Sequence, residues 1–193
     1  MANKILYGLK DVHVAFRAAD DSAGEAVWDT PIAIPGAIGF RPSPEGEEFK
    51  QYADNGVYFT DKANTGYSAD LEMALIPDSV IAAMFNWPID ANGAVIEDTD
   101  ALAAPFALMG QIEGDSKGRR FVYYECRASR PSPEERTKEA SIAARTDVLP
   151  LIITPVEIDG ASITRAYMEE SETNTVEYAA FFDDVYIPVE TSA

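Results

Sequence analysis

Residues 67–76 alternate almost without a fault, with Tyr67, Ala69, Leu71, Met73 and Leu75 on one parity and Ser68, Asp70, Glu72 and Ala74 on the other. A period of two puts one set on each face of an extended chain, so this run predicts a half-buried strand. The pattern returns at 106–113, where Phe106, Leu108 and Ile112 oppose Gln111 and Glu113. Gly114-Asp115-Ser116-Lys117-Gly118 then reads as a turn. From Arg120 to Ser129 the chain comes back as a strand, with Val122, Tyr124, Cys126 and Ala128 on one parity and Tyr123, Glu125 and Arg127 on the other. The two runs predict a hairpin.

Two further turn signals separate apolar runs. Asp90-Ala91-Asn92-Gly93 divides Trp87–Ile89 from Ala94–Glu97, and Asp159-Gly160 divides Leu151–Ile158 from Ala161–Met168. Asn-Gly and Asp-Gly tolerate the positive φ angles of tight hairpin turns. Ile5–Arg17, Val27–Ile34, Gly56–Asp61 and Val176–Val189 are further strand candidates, whereas Gly36-Ala37-Ile38-Gly39 reads as a turn. Twelve Gly and twelve Pro along 193 residues favour many short elements over a few long helices.

One helix is predicted, at Asp78–Phe85. Pro77 suits its start, Val80, Ile81, Met84 and Phe85 share one face, and Trp87-Pro88 stops it. A short one-sided helix among hairpins suits a plug over a sheet edge or barrel mouth. Residues 130–150 break the β pattern. Arg130-Pro131-Ser132-Pro133 cannot continue a central strand, and the polar stretch that follows is long for a connection inside one domain. It is either a surface loop or an arm that orders against a neighbouring subunit. We expect residues 1–193 to form a single domain, since no composition break divides them.

Charge supports the arm. Lys117, Arg119, Arg120, Arg127, Arg130, Arg136, Lys138 and Arg145 are eight of the 15 basic residues, and they lie within 29 positions beside only four Glu, a net of +4. The other seven basic and 29 acidic residues give the remainder −22, for a total of −18. An acidic body with one basic segment complements a second copy of itself, so these eight cations are candidate inter-subunit contacts. The same net charge argues against an adhesive nucleic-acid binder.

Candidate chemistry is sparse. One His and one Cys leave no common zinc pattern and no intramolecular disulfide. Calcium-spaced Asp loops, phosphate-binding glycine loops and a G-x-S-x-G elbow are missing. Glu45-Gly46-Glu47-Glu48, Glu169-Glu170-Ser171-Glu172 and Asp183-Asp184 read as solvated acidic faces or loops. Cys126 reads as a small buried hydrophobe, and His13 has no context that makes it a base. We expect no enzyme activity and no cofactor. No signal-peptide-like run and no stretch of eighteen apolar residues is present, so we expect a protein made in a reducing cytoplasm without membrane insertion.

Several segments, in this order, resemble the major tail proteins of long-tailed bacteriophages, specifically the phi13-type tail tube proteins. They are Lys4-Ile5-Leu6-Tyr7-Gly8-Leu9-Lys10-Asp11-Val12, Met73-Ala74-Leu75-Ile76-Pro77-Asp78-Ser79, Pro105-Phe106-Ala107-Leu108, Arg119–Ser132 followed by Thr137-Lys138-Glu139, and Leu151-Ile152-Ile153-Thr154-Pro155. The resemblance implies a mainly β fold, a β-sandwich or barrel with one flanking short helix and a long inter-subunit loop. It implies a virion protein that forms hexameric rings, stacked into a non-contractile tail tube through which DNA passes during ejection without specific binding. The implied partners are further copies of the chain and tape-measure, tail-tip and tail-terminator proteins. Residues 130–150 match the reach expected of the loop between rings. The immunoglobulin-like C-terminal domain of some relatives is not expected here. The alternative is an acidic β-sandwich binding or capsid-decoration module, which would expose ligand-stacking aromatics.

Overall fold

The computed structural model describes residues 3–18, 26–131 and 146–189. Its strands are β1 (Leu6–Phe16), β2 (Ile32–Ala33), β3 (Ala37–Glu45), β4 (Glu48–Ala53), β5 (Gly56–Lys62), β6 (Gly66–Met73), β7 (Phe106–Gly114), β8 (Arg119–Ala128), β9 (Asp147–Thr154), β10 (Val156–Ile158), β11 (Ala161–Ile163) and β12 (Arg165–Glu169). Two short helices, α1 (Asp78–Phe85) and α2 (Thr175–Ala179), and a 3-10 turn at Ala180–Phe182 complete it. The fold is mainly β. Eight strands form one antiparallel sheet in the order β2-β1-β7-β8-β9-β6-β3, with β12 also paired to β8.

The two strands predicted around the Gly114–Gly118 turn are β7 and β8, paired from Phe106↔Cys126 to Ile112↔Arg119. Their alternation is not strict. Phe106 pairs with Cys126 but Leu108 with Tyr123, so β8 holds one extra residue between those pairs. This bulge exchanges the faces. Phe121, Tyr123, Cys126 and Ala128 therefore share one core, while Val122 and Tyr124 face another, which corrects the expected grouping of Cys126 with Val122 and Tyr124. The same place divides the far edge of β8, since β12 pairs with residues 119–123 and β9 with 125–128. Glu125, at the fork, is buried and bonded to Arg17 at 2.9 Å and Arg127 at 3.3 Å.

The sheet rolls over on itself. Phe40 of β3 stacks on Phe121 at 5.7 Å and meets Tyr123 edge-on at 5.2 Å, although β8 lies three strands away in sheet order. Beside β3, the Ile34 amide donates to the Val12 carbonyl at 2.7 Å. The result is an incomplete barrel whose inside is the first core, built on Val12, Val14, Leu71, Phe106, Leu108, Phe121 and Leu151. Helix α1 closes it with Val80, Met84 and Phe85. Its bounds match the sequence expectation, and Asn86, at φ 52°, ends it in a left-handed turn.

The second core lies on the outer face of β1, β7 and β8, where Ala15, Ala107, Met109, Val122 and Tyr124 meet Ile158, Phe181 and Val185. Here the expected strand at 176–189 is instead α2 and the 3-10 turn. Tyr178, Phe181 and Val185 are the buried positions, and spacings of three and four residues are helical rather than extended. Among the described residues there are thus two flanking helices rather than one. Val27–Ile34 forms only β2 and a single bridge from Trp28 to Arg17, and the Asp90–Gly93 turn closes a lone bridge, Ile89↔Val95. The Gly36–Gly39 turn signal opens β3 instead. Asp159 and Gly160, both at positive φ, turn β10 into β11 as expected. Of the long connection at 130–150, residues 147–150 belong to β9 and 132–145 lie outside the described residues.

Candidate functional site

The basic segment follows β8, and the barrel divides it into two groups. Lys117, Arg119 and Arg120 sit at the start of the strand. The Lys117 ammonium donates to the Glu170 carbonyl at 2.6 Å. Arg119 forks onto Glu169, Nε at 2.9 Å and Nη2 at 2.5 Å, and lies over the Tyr167 ring. Arg120 donates to Gln111 at 3.0 Å and to the Tyr178 carbonyl, while its guanidinium rests on the Tyr178 and Phe182 rings. Arg127 and Arg130 sit at the far end, half-exposed. Arg127 reaches Glu125 and the Ala103 carbonyl, and Arg130 reaches Glu97 at 3.2 Å and the Asp98 carbonyl. Arg136, Lys138 and Arg145 lie outside the described residues. The five described cations all have partners within their own chain, so the sheet, α2 and the Glu97–Thr99 loop take up much of the local positive charge.

A fifth guanidinium joins this surface unannounced by the charge pattern. Arg165 of β12 donates to the Tyr123 hydroxyl at 3.2 Å and lies among the Tyr67, Tyr123 and Tyr167 rings. Burial pushes the Tyr123 phenol above its ordinary pKa, against the opposing pull of Arg165. These contacts pin β12 to β8 where β9 departs, and they are structural.

Strand β5 realises the strand expected at Gly56–Asp61, whereas its partner β4, and so the β4–β5 hairpin as a surface, was not anticipated. Strands β3 and β6 pair up to Glu45↔Gly66, and β4 and β5 continue outward from Glu48↔Lys62. Two glycines mark the root. A Cβ on Gly46 would run into the Ala63 carbonyl oxygen, and one on Gly66, at φ 131°, into that of Ile153. The tip is closed by Asp54 and Asn55, both at positive φ (51° and 64°), a two-residue turn of the type whose twist suits a hairpin. Beyond the root every described side chain is exposed. Phe49, Tyr52, Val57, Tyr58 and Phe59 are each between 50 and 75% accessible. The Phe49 and Phe59 ring centroids lie 6.5 Å apart, and neither ring belongs to either core. Strand β4 carries little signal of its own, since Phe49 and Tyr52 fall on opposite parities, although Asp54-Asn55-Gly56 is a turn signal. The acidic Glu45–Glu48 cluster at its start also reads as loop.

Little here suits catalysis. His13 stacks on Phe182 at 4.6 Å, in the second core, whereas Cys126 is buried in the first, so the sheet separates them. Burial pushes the Cys126 thiol far above its usual pKa. Among the described residues no group of three or more His, Cys, Asp or Glu side chains could hold a metal ion. Two shallow depressions, about 420 Å³ beside Trp87 and about 390 Å³ between β1 and β3, are open to solvent. No helix among the described residues is long and apolar enough to cross a membrane.

No family model matches the chain, and no curated protein matches it. Among solved structures it is similar to the tube-terminating cap of the anti-feeding prophage, with a TM-score of 0.48 and 9% sequence identity over 88% of this chain and 95% of that one. At 9% identity the likeness assigns neither an activity nor a partner.

Proposed function

We propose that this chain is a structural subunit of a bacteriophage tail, a tail tube protein that assembles with copies of itself into stacked hexameric rings around a channel for DNA. The observation that carries this reading is the β4–β5 hairpin. It stands off the barrel with five large apolar side chains exposed, and among the described residues none of them joins either core. Isolated two-stranded hairpins are at best marginal in water, and apolar surface of this kind marks an interface. The ordered segments that resemble phi13-type tail proteins, the rolled mainly β sheet with its helical plug, and the −18 net charge agree with it. A strongly acidic tube would let DNA pass without adhering.

In this reading residues 1–193 are one tail-tube domain acting in the virion, beside tape-measure, tail-tip and tail-terminator proteins. The inter-subunit arm is placed at the hairpin first. The half-exposed Arg127 and Arg130 are secondary contacts, continued by Arg136, Lys138 and Arg145. The test is negative-stain electron microscopy of the purified full chain across a concentration series, with and without tail-tip proteins. Tubes, or six-fold rings with a central hole, are expected. Monomers under every condition would overturn the reading and favour a binding module.

A further inference from the structure

The open edges of the sheets differ in whether another strand can join them. Among the described residues, strand β3 pairs only with β6. Its Glu45 carbonyl accepts from the Thr65 amide, so Glu45 and, by alternation, Ser43 and Arg41 turn their backbone groups towards β6. Pro42 and Pro44 then face the open side, where neither can donate. The opposite end of the sheet is protected differently. The first half of β1 slips register twice along β7, with Gly8 and Asp11 at positive φ, and β2 is two residues long. Strand β12 offers five residues, and Asn174 already bonds its last carbonyl, that of Glu169. Prolines, bulges and short strands are the means by which sheets avoid adding a neighbour.

The hairpin's own register shift lies near its tip, between Gln51 and Tyr52, and below it β4 pairs among the described residues with β5 alone. Strand β4 contains neither proline nor a positive φ. The Glu47 carbonyl accepts from the Ala63 amide, so by alternation Phe49 and Gln51 bond inward and Glu48, Lys50 and Tyr52 present their backbone groups outward. On β5 the outward residues are Thr60 and Lys62. We propose that β4 of one copy of this chain pairs antiparallel with β5 of the next, in the register that sets Lys50 against Thr60. That register repeats the pairing within the hairpin, places Glu48 opposite Lys62, and brings the Phe49–Phe59 faces of successive copies into one row. The contact uses two different edges, so it repeats from copy to copy, and it closes if the copies form a ring. This rests on the assembly reading above and specifies which backbone edges make the joint.

The experiment compares Lys50→Pro and Thr60→Pro with the wild-type chain by sedimentation velocity and negative-stain microscopy. Each proline removes one outward amide donor and leaves the inward ladder of the hairpin intact. The expected result is a rise of about tenfold or more in the concentration at which assemblies form, with an unchanged melting temperature. Cysteines report the register. A mixture of Lys50→Cys and Thr60→Cys chains should form disulfide-linked pairs on oxidation, and either variant alone should not. Cys126, fully buried, does not compete. Assemblies that form normally with both prolines, or crosslinking of Lys50→Cys to itself, would overturn the joint while leaving self-assembly standing. A wild-type chain that stays monomeric under every condition would overturn both.

Discussion

The β7–β8 and β4–β5 hairpins have the same secondary structure and opposite surroundings. From Phe106 to Gly110 and from Phe121 to Cys126 every residue is buried, because the barrel core lies on one side and the C-terminal segment on the other. Every described side chain of β4 and β5 is exposed. Both hairpins carry four aromatic residues, Phe106, Phe121, Tyr123 and Tyr124 in one and Phe49, Tyr52, Tyr58 and Phe59 in the other. Aromatic content therefore does not separate a core hairpin from a free one. What separates them is whether the chain itself supplies a second layer. For β7–β8 it supplies two. For β4–β5 the described residues supply none, which is why the proposed interface is placed there.

The comparison is tested hardest inside the barrel. Phe106 is fully buried and meets Phe16 edge-on at 6.1 Å. Phe106→Ala removes its whole ring from the first core and should cost about 3–5 kcal/mol of unfolding free energy, read as a lower midpoint in urea. A change below about 1 kcal/mol would mean that this core is looser than its burial implies.

A smaller effect is expected at the fork. Glu125 is held between Arg17 and Arg127, and its side chain is only 10% exposed. Glu125→Ala leaves the largely buried Arg17 without that carboxylate, at a cost of about 2 kcal/mol. The figure stays below the usual range for breaking a buried pair because Arg127 opens to solvent. Re-pairing by Glu125→Asp should fail to recover the loss, since the shorter side chain cannot span both guanidinium groups. Full recovery by Asp would show that charge alone, and not the bulge geometry, holds β8 at that point.

Much of this barrel was legible in the sequence where one face of a strand is buried by its own chain. The alternation at 67–76 is β6, the runs around Gly114–Gly118 are β7 and β8, and α1 runs from Asp78 to Phe85 as its apolar spacing required. Legibility failed where a feature depended on a third element. The extra residue in β8 answers to a change of partner from β12 to β9, which no local pattern records. The segment after Thr175 is apolar enough for a strand, yet only the curved outer face of β1, β7 and β8 selects the spacing of Tyr178, Phe181 and Val185. The basic segment was visible as composition, but its described members bond within the chain. In the hairpin at 48–62 the second strand was expected at Gly56–Asp61, but the first was obscured by the acidic Glu45–Glu48 cluster, and none of the hairpin's described side chains is buried.

The smallest effect on stability is expected where the aromatic residues are most exposed, and there it should accompany the largest effect on assembly. Phe49→Ser with Phe59→Ser removes two exposed rings that pair across the hairpin beyond the Gly46 and Gly66 root. Neither belongs to either core. Unfolding free energy should therefore move by less than about 0.5 kcal/mol, and the pair of serines should leave the ladder amides in place. If the hairpin finds its second layer on another copy, assemblies should nevertheless disappear at concentrations where the wild-type chain forms them. A double variant that unfolds earlier by more than about 1 kcal/mol would show that the rings already pack within the monomer, and the contrast between the two hairpins would fail. A double variant as stable as the wild type that still assembles normally would keep the contrast but move the interface elsewhere, to the half-exposed Arg127 and Arg130 end of β8.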